Sequence, residues 1–94
     1  MILHLTQEAI DKAWENASIK DLEVTRDCLM ATAAKLQFPE AKVTCGYSLL
    51  KINDNRFVLP MHAQQMVCDW MDYKGYGKEV TKPEPQDIEC EPLV

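Results

Sequence analysis

The segment Tyr73-Lys74-Gly75-Tyr76-Gly77 divides the chain. Before it, apolar residues recur at helix and strand spacing. After it, Lys78 to Val94 holds three prolines and five acids. Such a stretch has too few apolar groups to offset the entropy of ordering its backbone. The reading is therefore a single compact domain over 1–77 and an extended acidic, proline-containing tail over 78–94. On that reading, deleting residues 79–94 leaves the thermal midpoint of the body nearly unchanged.

Immediately upstream of the break, Pro60 suits a first helical turn, where its missing N–H would have no partner anyway. Ala63, Met66, Val67, Trp70 and Met71 then fall at i, i+3, i+4, i+7 and i+8. This spacing predicts a helix over 61–73, with Gly75 as its stop signal. Met61, Met66, Met71 and Trp70 read as core in a body this small. Any of them left exposed marks the first place to seek a protomer or target contact, because methionine adapts to irregular surfaces and tryptophan often carries binding energy.

Further back, Val43 to Ile52 and Arg56 to Leu59 are strand-like, and Asn53-Asp54-Asn55 between them reads as a hairpin loop. One face of the first strand carries Val43, Cys45, Tyr47 and Leu49; the other carries Thr44, Gly46, Ser48, Leu50 and Ile52. Apolar weight moves from one face to the other along the strand, so the pattern does not choose the core face. Phe38-Pro39 closes a helix predicted over 19–37, with Ser18 as N-cap and Ile19, Leu22, Leu29, Ala33 and Leu36 on one face. A first helix is predicted over 7–16. Thr6 caps it, Leu5 and Ile10 stand at the spacing of a hydrophobic staple, and Ile10, Ala13, Trp14 and Ala17 form its apolar face. The expected fold is α+β: two N-terminal helices, a β-hairpin and a third helix (ααββα), then the tail.

The net charge is −5, with ten acids against eight bases in residues 1–77 and five against two in residues 78–94. Spread acidity is poorly suited to collecting phosphate contacts, which disfavours direct binding of nucleic acid or anionic membrane. Cys28, Cys45, Cys68 and Cys90 form no CxxC pair and lack a histidine pair nearby, so the sequence offers no zinc site. No signal peptide or spanning segment is evident, and the cysteines read as reduced thiols in the cytoplasm.

Catalytic and cofactor motifs are not found. Gly46, Gly75 and Gly77 belong to no phosphate-binding loop. His62 could approach Cys45 or Asp69 but no spacing requires it, and His4 lies ahead of the first helix. Glu8, Asp11 and Glu15 form a carboxylate stripe opposite Trp14, either a solvated face or a surface that meets a basic partner. Helix, helix, hairpin, helix is a winged-helix-like order, yet the second helix balances Lys20, Arg26 and Lys35 against Asp21, Glu23 and Asp27.

The expectation is a non-enzymatic protein-interaction module, an inhibitor or accessory factor of the phage-encoded or regulatory kind, acting on a cytosolic macromolecule. Its contact residues are sought in Met61, Met66, Trp70 and Met71, in Glu8, Asp11 and Glu15, and in Ile88 and Leu93 of the tail. No cofactor, metal or membrane is implied, and a homodimer would add buried area to so small a body. The alternative is a small dimeric nucleic-acid-associated regulator whose Lys20, Arg26, Lys35, Lys42, Lys51 and Arg56 gather in three dimensions. A third is a Cys/His enzyme built on His62.

Overall fold

Thr6 ends one element and begins another. In the computed structural model, which describes residues 1–93, strand β1 (Ile2–Leu5) leads into helix α1 (Gln7–Asn16). The Thr6 side chain accepts the Ala9 N–H at 3.1 Å, satisfying one of the donors a helix start leaves open. Leu5 and Ile10 are both buried, so the staple spacing reflects a real packing position. Ala9, Ala13 and Trp14 complete the inward face.

One helix over 19–37 does not form. The chain passes through turns to a single-turn helix α2 (Val24–Asp27), then bends at Cys28, whose backbone is extended (φ −67°, ψ 175°), into α3 (Leu29–Gln37). Ser18 serves the end of α1 instead of capping the next helix: its hydroxyl donates to Glu15 O at 2.8 Å. The Ile19 carbonyl is taken by the Lys74 ammonium at 2.9 Å, and Ile19 itself is exposed. Tertiary partners thus claim the groups that a continuous helix would have used. Helix α3 is buried all round from Leu29 to Ala34, because it is the central element, packed against α1, β1 and β2. Thr32 Oγ1 donates to Asp27 O, and Lys35 pairs with the Asp27 carboxylate at 3.1 Å, tying α2 to α3.

The expected hairpin is a three-stranded meander: β2 (Val43–Cys45), β3 (Leu49–Ile52) and β4 (Asn55–Val58). The run 43–52 is divided by a turn at Gly46-Tyr47-Ser48, closed by the Gly46 N–H on Leu49 O at 2.9 Å. Val43 pairs with Ile52 and Cys45 with Leu50, all four buried. Directly opposed residues share a face, so the core set is odd-numbered in β2 and even-numbered in β3. That switch explains why the linear pattern showed apolar weight on both faces. Asn53 takes the positive φ (54°) of the second turn, donates its N–H to Lys42 O and accepts the Lys42 N–H on its side chain.

Helix α4 (Met61–Tyr76) runs through Gly75 and stops at Gly77, whose φ of 64° suits glycine. Trp70 is fully buried and donates its indole N–H to Ala13 O at 2.7 Å, joining α4 to α1. Beyond Gly77 the expectation of an extended tail apart from the body is corrected. Strand β5 (Gln86–Glu89) pairs antiparallel with β1, and β6 (Glu91–Pro92) pairs antiparallel with β4. The result is one two-stranded sheet, β1-β5, and one four-stranded sheet, β2-β3-β4-β6.

Ile88 and Cys90 point into the common core from this region. Two apolar residues at period two are enough here because β1 and the core were waiting to receive them; composition averaged over the tail hides so short a pattern. The prolines do not obstruct pairing. Pro83 and Pro85 precede β5, and Pro92 stands on an edge strand where Leu93, one residue on, donates to Arg56 O at 2.8 Å. The open edge of β1 is covered by one side chain: Gln37 accepts the His4 N–H at 2.8 Å and donates to Ile2 O at 2.9 Å, as a neighbouring strand would. Among the described residues, no helix is long and apolar enough to cross a membrane.

Candidate interaction surface

The four-stranded sheet covers the core with one face and presents the other to solvent. Its register defines that outer face. One row across the strands reads Thr44, Lys51, Arg56, Leu93; the next reads Gly46, Leu49, Val58, Glu91. Val58 is exposed, its partner Leu49 is half-buried, and Leu93 at the edge is exposed. Tyr47, 61% exposed, projects from the β2–β3 turn and approaches Cys68 on α4, a contact that pushes its phenol pKa up.

Lys42, Lys51 and Arg56 are exposed and make no ion pair among the described residues. Lys42, Thr44, Lys51, Asn53 and Asp54 line a shallow hollow at this end of the sheet. Tyr47, Leu49 and Val58 thus form a small apolar strip on the sheet face, with Lys51 and Arg56 along one side and Glu91 opposite Val58 at its end. Leu49 and Val58 were not singled out from the sequence; the available signal was apolar residues at both parities of the 49–52 run.

The residues chosen from sequence scatter. On α4, Trp70 is fully buried and Met66 half-buried, whereas Met61 is 84% exposed and Met71 also faces out. Burial falls at Ala63, Val67 and Trp70, one helical face, so the methionine stripe is split between core and solvent. Glu8, Asp11 and Glu15 are all exposed on the outer side of α1. Ile88 is core and cannot meet a partner in the folded state, while Leu93 joins the sheet face.

His62 is exposed, without a side-chain hydrogen bond among the described residues. His4, the histidine ranked lower, pairs with the Asp87 carboxylate at 2.7 Å across β1 and β5 on open surface. The adjacent hydroxyl, Thr6, is engaged as the helix cap. Arg26 and Lys35, two of the cations expected to gather into a basic patch, are paired with Glu23 and Asp27. Helix α3, which would be the recognition helix of a winged-helix order, is inside the molecule and cannot enter a groove.

All four cysteines are free, and only Cys68 is partly exposed. The Cys28 and Cys45 thiols face each other in the core: contact with Cys45 pulls Cys28 down, while contact with Cys28 and burial push Cys45 up. Burial pushes Cys90 up, opposed by the N-terminal amine. No three His, Cys, Asp or Glu side chains among the described residues converge in a way that could hold a metal ion. Comparison with protein-family models, curated proteins and solved structures finds no match to this chain.

Proposed function

We propose that this protein is a non-enzymatic interaction module that docks a protein partner on the outer face of its four-stranded sheet, as an inhibitor or accessory factor. The observation that carries this reading is exposed Val58 paired with half-buried Leu49 beside Lys51 and Arg56, which make no ion pair among the described residues. Contiguous apolar surface with a polar border is the usual makeup of a contact region, and a rigid sheet presents it without ordering cost. Lys51 and Arg56 select a partner with acidic groups along that side of an apolar centre, and Glu91 favours a base at the other end. A partner in the cytoplasm is part of the same reading.

The three unpaired cations also favour a second reading, binding of a nucleic-acid backbone. One experiment separates the two. A photo-cross-linker in place of Val58 is expected to capture a single protein, nuclease treatment is expected to leave that capture intact, and Tyr47→Ala together with Lys51→Glu is expected to abolish it at an unchanged melting midpoint. Capture that depends on nucleic acid reassigns the face to the second reading. Capture equal to that from a cross-linker placed at Glu8 on α1 overturns both.

A further inference from the structure

A different surface, between α1 and α4, is shaped to hold a cation. A groove of about 510 Å³ is lined by Asp11, Trp14, Glu15, Tyr73, Glu79 and Lys82, with Val80 at its edge. Its floor is aromatic: the Trp14 and Tyr73 ring centroids are 6.0 Å apart, with the rings tilted by 32°. Its walls are acidic, because Asp11 and Glu15 belong to the exposed stripe of α1 and Glu79 follows α4. The protein already places a cation there, with Lys82 Nζ 5.9 Å from the Trp14 ring centroid. Lys82 makes no ion pair among the described residues, so it is held over the ring face without a carboxylate partner.

Two further features point to a ligand. The Trp14 indole N–H has no protein acceptor among the hydrogen bonds of the described residues and is not a buried orphan, so it reaches solvent and stays available to a bound group; that of Trp70 is used by Ala13. The segment that carries Lys82 is also loosely held. From Glu79 to Pro85 the chain forms no strand or helix, and among the hydrogen bonds of the described residues it joins the body only through the Gln86 side chain at the start of β5, which donates to Glu84 O at 3.0 Å. Val80 packs against the core and Lys82 lies on Trp14, and these side-chain contacts are what keep it in place. Lifting Lys82 from the ring therefore breaks no backbone hydrogen bond.

We propose that this groove receives an arginine or lysine side chain from an extended segment of a protein partner, which replaces Lys82 over Trp14 between the Asp11 and Glu15 carboxylates. Lys82 acts as an internal stand-in that keeps the aromatic floor covered until the partner's cation displaces it. The free indole N–H is a donor for a backbone carbonyl of the same segment. This site does not depend on the sheet face, which lies on other elements.

The test uses the full chain and the blocked peptide acetyl-Gly-Arg-Gly-amide, with the citrulline peptide as a neutral control. NMR follows the two indole N–H signals, which are assigned with Trp14→Phe. The arginine peptide is expected to shift the Trp14 signal saturably within roughly 10 mM while the Trp70 signal stays in place and reports an intact fold. Lys82→Ala is expected to bind about two- to fivefold tighter, because self-occupancy is removed. Asp11→Asn with Glu15→Gln is expected to weaken binding about fivefold or more, and Val58→Asp to leave the titration unchanged, which separates this site from the sheet face. Equal binding of the citrulline peptide, no saturable shift even with Lys82→Ala, or Lys82→Ala binding no tighter than the natural protein each overturns the proposal.

Discussion

The two tryptophans show how one residue type is put to two uses. Trp70 fills the centre and its indole N–H gives the Ala13 carbonyl a second hydrogen bond beside that of the Ala17 N–H, so Trp70→Phe removes one bond without leaving the acceptor unpaired. The expected loss is about 1 kcal/mol for the hydrogen bond, against about 3–5 kcal/mol for Trp70→Ala, where a full cavity is added. Urea unfolding measures both, and a Trp70→Phe variant as stable as the natural protein would show that the hydrogen bond contributes nothing. Trp14→Ala, on the floor of the α1–α4 groove, is expected to cost less than Trp70→Ala. The thiols divide in the same manner. Cys68 alone is partly exposed, so an aromatic disulfide reagent is expected to titrate one thiol in the native protein and four in denaturant.

At the scale of elements, termination is controlled by a few side chains. Gly77 holds φ 64° at the end of α4, and Gly77→Ala is expected to cost about 1 kcal/mol, whereas Gly75→Ala, inside the helix, is expected to be neutral or stabilising. Chemical denaturation of the two variants checks the contrast. Gln37 closes the free edge of β1 with two hydrogen bonds, and Gln37→Ala is expected to cost about 1–2 kcal/mol. Amide exchange at His4, whose N–H it receives, is expected to accelerate in that variant. If exchange there is unchanged, the side chain does not act as the missing strand.

For the whole molecule, the C-terminal residues tie both sheets together. Strand β5 holds the first residues of the chain through the β1 ladder and the Met1–Cys90 bonds, and β6 completes the sheet at β4. Truncation after Gly77 removes Ile88 and Cys90 from the core and leaves β1 unpaired along its inner side. Ile88 alone represents about 1.5–3 kcal/mol of burial, a large share of the stability of so small a domain. The truncated chain is expected to be largely unfolded at 25 °C by circular dichroism, and Ile88→Asp to lower the melting midpoint by many degrees. A truncated chain that melts like the full one would show that the two strand pairings carry no stability.

Helix α1 with its cap, the extent of the third predicted helix to within a few residues and the α+β class were legible because each rests on neighbours in sequence: a capping hydroxyl, an i, i+3, i+4 apolar face, a proline before a helix. The surface readings were only partly legible. Met61 and Met71 face solvent as a contact requires, but Trp70 and Ile88, chosen beside them, are core, since exposure depends on what packs against a residue and not on its type. The sequence by itself determined the local segments and their apolar faces, which short-range sterics and hydrogen bonding dictate. Only the tertiary structure decided that the 19–37 run breaks at Cys28, that Val43 to Ile52 folds back on itself and that the acidic tail becomes two strands. In each case the partner that settles the matter, Lys74 for Ile19, Leu50 for Cys45, β1 for Ile88, is remote in the chain or hidden by a turn, and its contact free energy outweighs the local preference.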